Sequence, residues 1–169
     1  MTVMGEHTLP SMVDTGDLRA QWNRFRRMEA GILNAASVQE VQNLVQNSQG
    51  VMQQIEQSER SFASLARSPQ EQALLQEYQK QRKAYMESHA QFLTEALAKD
   101  YAMGSGDLLL GDTVSNLYSG QAEAQFVAMA ESVGQLAALN LEQASAVRAE
   151  GQQVYAVAWW WGVMAMGSS

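Results

Sequence analysis

Four polar side chains on one predicted helix, two tyrosines, an arginine and a histidine, have the types and spacing that could do chemistry. Steps of three and four residues link Leu75, Tyr78, Arg82, Tyr85, His89, Phe92 and Ala96, the spacing of inward positions in a helical bundle. Arg82 and His89 therefore occupy positions where an apolar side chain is expected. An arginine facing a core costs several kcal/mol unless it is paired or solvated, and the only acid near the apolar stripes at a similar level is Glu29. The pattern suggests an interior polar cavity that could hold an anion.

Further polar side chains are expected at the same height along the bundle axis as Arg82 and His89, which we call their level. In an antiparallel bundle this level corresponds to residues 22–27, 48–55 and 118–125 of the other three helices. We predict one ligand-binding site from side chains at this level: Arg24, Arg27, Ser48, Met52, Arg82, Tyr85, His89, Tyr118 and Gln125. Guanidinium groups bind carboxylates through two parallel hydrogen bonds, and tyrosines can orient the rest of a small ligand.

The same residues also have purely structural interpretations. Arg82 could extend outward from a slightly rotated helix, and His89 could be a hydrogen-bonded core histidine. Tyr118 could be an ordinary core aromatic, and at least one arginine of the cluster in residues 19–27 is expected to be solvated.

Composition and motifs argue against enzymes, metalloproteins and nucleic-acid binders. The chain has no cysteine and two histidines, which removes thiolate metal sites and cysteine nucleophiles. Di-iron bundles need paired Glu-x-x-His motifs, and neither these nor a nucleophile elbow or a phosphate-binding loop occurs. The net charge of −7 opposes nucleic-acid binding. We therefore expect no catalytic activity, no metal and no cofactor.

Four helices must position the candidate site. Helix-forming residues are abundant and only two prolines occur among 169 residues, so long helices are allowed. Three breaks separate them, and connections this short make neighbouring helices antiparallel. The fold class predicted is all-α, an antiparallel up-down-up-down four-helix bundle.

Local signals give the helix boundaries. The first helix is predicted to begin near Pro10, a residue suited to a first helical turn. Ser37 with Glu40 forms a capping box that begins the second helix. The segment 68–71, Ser-Pro-Gln-Glu, begins the third, which should end near Ala102. The fourth should follow a Gly-rich break at 104–107 and run from about residue 113 past residue 151.

The composition of the C-terminal residues indicates two further segments after the bundle. We assign residues 1–153 to a ligand-binding bundle, 154–166 to an apolar segment and 167–169 to a cloning remnant. The apolar segment contains three consecutive tryptophans, which favour the membrane–water boundary. Its 13 residues are fewer than the ~20 that span a bilayer. We interpret it as the start of a second transmembrane helix, the alternative being an apolar end packed on the bundle or on a second copy.

With these features, the sequence resembles the periplasmic four-helix-bundle ligand-binding domain of methyl-accepting chemotaxis proteins, the bacterial chemoreceptors. The resemblance covers nearly the whole chain. It rests on four features: Leu9-Pro10-Ser11, Arg27-Met28-Glu29, Tyr85, and the run Leu-Ala-Ala-Leu-Asn at 136–140 with the polar and apolar stretches that follow it.

The resemblance implies a function and partners. The domain would be periplasmic, part of an inner-membrane receptor anchored by flanking transmembrane helices, and a homodimer or other homo-oligomer through its first and fourth helices. It would bind a small carboxylate such as a dicarboxylate or tricarboxylate and transmit a helix displacement across the membrane for chemotaxis. Arg24 and Arg27 match the place where related receptors bind carboxylates, and Arg82 with Tyr85 matches an Arg–Tyr spacing of organic-acid receptors. The full arginine run of amino-acid receptors is missing, so an organic acid is preferred to aspartate.

Two other functions stay open from the sequence. The ligand could be an aromatic acid or an amino acid. The bundle could also have no ligand and serve oligomerisation or protein interaction alone. A lipid-surface protein ranks last, because the acidic balance opposes binding to anionic membranes.

Overall fold

The computed structural model describes the backbone of residues 2–66, 68–102 and 108–166, and the side chains of residues 15–66, 68–102, 113–143, 145, 146 and 149. This part of the chain contains five helical segments and no strand. They are α1 (Thr2–Leu33), α2 (Val38–Leu65), α3 (Pro69–Ala98), α4 (Leu108–Ser119) and α5 (Gln121–Met166). The predicted all-α four-helix bundle is confirmed. Its four long helical arms, which we call legs, are α1, α2, α3, and α4 with α5 together.

A glycine separates α4 from α5 with little loss of hydrogen bonding. The Gly120 N–H donates to the Asn116 carbonyl at 2.9 Å, and the Gly120 carbonyl accepts from Ala124 N–H at 3.2 Å. A Cβ at this position would lie 2.7 Å from the Asn116 oxygen. The close approach of the backbone therefore requires glycine.

Two predicted caps are confirmed at the helix starts. The Ser37 hydroxyl accepts from Glu40 N–H, and Glu40 Oε2 accepts from Ala36 N–H at 2.8 Å. The Ser68 hydroxyl accepts from Glu71 N–H at 3.0 Å, with proline at the first position of α3. These bonds satisfy donors that a helix start otherwise leaves free.

Three predicted boundaries were wrong, one of them the start of the fourth helix, which lies at Leu108 and not near residue 113. Helix α1 begins at Thr2 and continues through Pro10, because an interior proline removes one N–H donor and does not by itself end a helix. Helix α3 ends at Ala98, four residues before the predicted end, and Tyr101 follows in a short turn of tighter helix. The Tyr101 hydroxyl donates to the Ala96 carbonyl at 2.9 Å, which satisfies an orphan acceptor at this helix end.

The core forms two clusters of buried apolar side chains between the helices. The larger cluster is centred on Trp22, Tyr85 and Met129, each no more than 2% exposed. The smaller lies nearer the α1–α2 turn and contains Ile32, Val41 and Phe92. Helix α1 packs closely against α2 and α5, and α5 packs against α3, whereas α2 and α3 approach each other much less. The bundle is therefore more open along its α2–α3 side.

The predicted divisions of the chain at residues 153/154 and 166/167 lie outside the residues whose side chains the structure describes. The backbone of 154–166 belongs to α5, but its side chains and residues 167–169 are not among those described. Within the described residues, no helix has a stretch apolar enough over sufficient length to cross a bilayer.

Candidate functional site

A buried carboxylate lies at the centre of the bundle. Glu29 of α1 is 1% exposed. Its Oε2 lies 2.8 Å from Nδ1 of His89 on α3, and its Oε1 accepts a hydrogen bond from the Tyr85 hydroxyl. Arg26 Nη1, one turn earlier on α1, lies 3.3 Å from the same Oε1. Partners from two helices thus satisfy a charge that would otherwise be very costly to bury.

Arg26 extends this arrangement to the fourth leg. It is 7% exposed, and its Nη2 donates to the Tyr118 carbonyl at 2.7 Å and to Glu123 Oε2 at 2.6 Å. Its guanidinium also lies 3.7 Å from the centre of the Tyr118 ring, a cation–π contact. We call these six side chains the central network: Arg26, Glu29, Tyr85, His89, Tyr118 and Glu123. It joins α1, α3, α4 and α5.

The interior anion expected from the sequence is therefore the protein's own Glu29. Steps of three, four and three residues link Trp22, Phe25, Glu29 and Ile32, the same spacing that singled out Arg82. Applied to the first helix, that rule would have placed Glu29 in the core. It would not have found Arg26, whose burial depends on packing against Tyr118 and Glu123.

Arg82 has a different partner from the one expected. Its Nε lies 2.6 Å from Glu59 Oε2 on α2, and its Nη2 lies 3.5 Å from Met52 Sδ. Glu29, the acid that the sequence placed at its level, faces His89 instead. The expectation missed Glu59 because this residue lies between Ile55 and Phe62 at the edge of the α2 stripe. Both side chains of the ion pair are partly exposed, 25% for Arg82 and 18% for Glu59.

A hydrogen-bonded chain connects this ion pair to the core. Glu59 Oε2 also accepts from the Tyr78 hydroxyl at 2.8 Å, and that hydroxyl accepts from Trp22 Nε1 at 2.8 Å. We call Trp22, Tyr78, Glu59 and Arg82 the lateral chain. It runs from Trp22 on α1 through Tyr78 on α3 to Glu59 on α2, and then back to Arg82 on α3 at the molecular surface.

Burial shifts the proton affinity of two groups in the lateral chain. It raises the pKa of Glu59 above its ordinary value, although the nearby Arg82 charge and the Tyr78 hydrogen bond act in the opposite direction. Burial also raises the pKa of Tyr78, and the Glu59 charge adds to this effect. Tyr78 therefore stays a neutral donor, whereas the protonation of Glu59 depends on its burial and on the charges beside it.

The lateral chain ends in a groove along the open side of the bundle. This α2–α3 groove has a volume of about 650 Å³. Its lining combines three cations, three carboxylates and an apolar floor: Glu56, Glu59, Arg60, Ala63, Gln79, Arg82, Lys83, Met86, Glu87 and Ala90. Arginine and lysine side chains on both walls can hold an anion from two directions.

The remaining site candidates lie at the predicted level but on different surfaces. Arg24 and Arg27 are exposed, and Arg24 lines a smaller groove between α1 and α2. Ser48 is buried and donates to the Val45 carbonyl of its own helix. Gln125 accepts from the Ser88 hydroxyl across α3 and α5. The structure therefore separates the nine candidates into interior, groove and surface sets.

The described side chains include no group of three or more histidine, aspartate or glutamate residues that could hold a metal ion.

The comparisons with known proteins point to a sensory role. A family model described as a four helix bundle sensory module for signal transduction, of methyl-accepting chemotaxis proteins, matches residues 1–155. No curated protein and no solved structure matches the chain.

Proposed function

The chain belongs to the four-helix-bundle sensory modules of methyl-accepting chemotaxis proteins, and from this premise we propose that it senses a small carboxylate for chemotaxis. The family comprises sensory modules for signal transduction, not catalytic domains, and they are extracellular domains of membrane receptors. The proposal adds the ligand class, the place where the ligand binds and the periplasmic location.

The observation that carries the proposal is the Arg82 guanidinium on the α2–α3 groove. It already forms an ion pair with one carboxylate, that of Glu59, at 2.6 Å, so a carboxylate in the groove can reach its charge. Arg60 and Lys83 line the same groove and could hold a second carboxylate. Ala63, Met86 and Ala90 supply an apolar floor. A dicarboxylate or tricarboxylate fits this combination, with aromatic acids as the alternative that the apolar floor allows.

The other predicted site residues take different parts in the proposal. Met52 supports the Arg82 side chain. Tyr85, His89 and Tyr118 belong to the central network, which couples the helices that a ligand would displace. Arg24 and Arg27 face solvent on α1 and would contribute only to a second site at a subunit interface.

Binding would act on the relative positions of the helices. A ligand that bridges α2 and α3 favours the arrangement in which both contact it, and a difference of a few kcal/mol between two arrangements is enough to shift the population. The central network ties α3 to α5, so a displacement on the groove side can reach the fourth leg. In the receptor, this leg would pass the displacement toward the membrane.

A homodimer through the first and fourth legs is part of the same proposal. Val127 and Leu141 on α5 are 49% and 56% exposed, and Arg19 of α1 borders the same face. Large apolar side chains exposed on one helix favour contact with another chain. Sedimentation analysis of a Val127→Glu variant tests this, because a charge at the interface would lower the dimer fraction.

A thermal-shift measurement tests the ligand class. Succinate, citrate, benzoate and aspartate are added at neutral pH to the protein and to its Arg82→Gln variant, with Arg24→Gln as the control. A ligand at ~100 times its Kd stabilises by about 2.7 kcal/mol, which corresponds to roughly 5–11 °C in Tm for a chain of this size. We expect a shift with an organic acid that Arg24→Gln keeps and Arg82→Gln loses. A shift that Arg82→Gln keeps, or none with any carboxylate, contradicts the proposal.

A further inference from the structure

We infer that Glu59 competes internally with the ligand carboxylate for Arg82, so that carboxylate binding in the α2–α3 groove releases Glu59 and takes up a proton from solvent. This inference rests on the proposed function of the groove and concerns the regulation of that site. Glu59 would thereby set the affinity of the groove for the ligand and the dependence of that affinity on pH.

The contacts of Glu59 place it where a bound carboxylate would lie. Its Oε2 is 2.6 Å from Arg82 Nε, an ion pair in which the Nε–H is not aligned as a hydrogen bond. Arg82 and Glu59 both line the groove and are both partly exposed. A ligand carboxylate that binds at the Nε edge of the guanidinium must therefore displace Glu59.

The charges around Glu59 determine what happens after its release. From α3 it faces Arg82 and Tyr78, with Lys83 and Glu87 along the groove, and from α2 it faces Glu56 and Arg60. From α1 the lateral chain contributes only the uncharged Trp22. Once Arg82 turns to the ligand, Glu59 loses its nearest cation and lies beside a new anion. Burial already raises its pKa, and both changes favour protonation further.

The exchange balances in charge and atoms. The ligand carboxylate binds Arg82, the Glu59 carboxylate leaves the guanidinium, and one proton from water binds a Glu59 oxygen. The Tyr78 hydroxyl can continue to donate to the other oxygen of the neutral acid. Uptake of one proton per ligand makes the affinity rise by up to about tenfold for each pH unit of acidification.

Calorimetry in buffers of different ionisation enthalpy measures this proton directly. Succinate and benzoate, both ionised near neutral pH, are titrated into the protein, its Glu59→Gln variant and its Glu87→Gln variant. Glutamine keeps an acceptor for Tyr78 but removes the charge. Glu87→Gln removes a charge from the same groove without touching Arg82, so it is the matched control.

We expect proton uptake, at most one per ligand and larger at lower pH, in the unmodified protein and in Glu87→Gln, and none in Glu59→Gln. Glu59→Gln should also bind tighter above neutral pH, by up to about fivefold, the size of a partly exposed ion pair. Binding to the unmodified protein without proton uptake overturns the inference and leaves the proposed function intact. Equal effects of the two variants also overturn it, because then only the net charge of the groove matters. Absence of binding in all three proteins overturns both.

Discussion

Replacing Glu29 by alanine should destabilise the bundle more than any change at an exposed acid. The variant removes the acceptor of the Tyr85 hydroxyl and the partner of His89 Nδ1. Arg26 keeps Glu123 and the Tyr118 carbonyl, so it is not left alone. Orphaned buried polar groups cost about 1–3 kcal/mol each, and breaking a buried charged pair costs about 3–5 kcal/mol in all. We expect a loss near the lower end, about 3 kcal/mol, because Arg26 keeps its other partners.

Urea denaturation followed by circular dichroism measures this loss. It should be run at one fixed protein concentration, because oligomerisation makes apparent stability depend on concentration. About 3 kcal/mol corresponds to roughly 6–12 °C in Tm for a chain of this length. The Glu29→Gln variant keeps an acceptor for Tyr85 and should lose only about half as much.

The control for this prediction is Glu142→Ala, an exposed acid on α5 that should cost within about 0.5 kcal/mol. A double-mutant cycle of Glu29→Ala with His89→Ala adds a second test. Residues in one network couple by about 0.5–3 kcal/mol. If Glu29→Ala is no more destabilising than Glu142→Ala, or if the cycle shows no coupling, the central network does not hold the bundle together.

Two further predictions concern a cap and a titrating group. Ser68→Ala removes the acceptor of Glu71 N–H and should lower stability by about 1 kcal/mol, or roughly 2–4 °C in Tm; an unchanged melting curve would show that the cap contributes nothing. The pKa of Glu59 is higher in the folded protein than its ordinary value of 4.5. At pH values between the unfolded and folded pKa, the native state therefore binds more protons than the unfolded chain. The contribution of Glu59 is therefore largest at low pH and falls as pH rises through the folded pKa. Measured by urea denaturation, the stability of the unmodified protein minus that of Glu59→Gln should decrease over this window, and parallel pH profiles would refute the assignment.

Much of the fold could be predicted from the sequence because its signals are local. The Ser37 and Ser68 caps depend on bonds within four residues, and the stripes depend on the period of a single helix. The common level of the candidate residues followed from counting along antiparallel legs. Contacts such as Arg82 with Met52 and Arg26 with Tyr118 agree with that level.

The sequence by itself determined the four helical legs, the caps at Ser37 and Ser68 and the height of the polar residues along the bundle, whereas only the tertiary structure decided which charges meet. Arg26 is buried while its neighbours Arg24 and Arg27 are exposed, and Arg82 pairs with Glu59 while Glu29 pairs with His89. Adjacent helical residues differ by about 100° around the axis. A modest rotation of one leg therefore exchanges one partner for another without changing the apolar pattern, and that rotation is fixed by the packing of all four legs together.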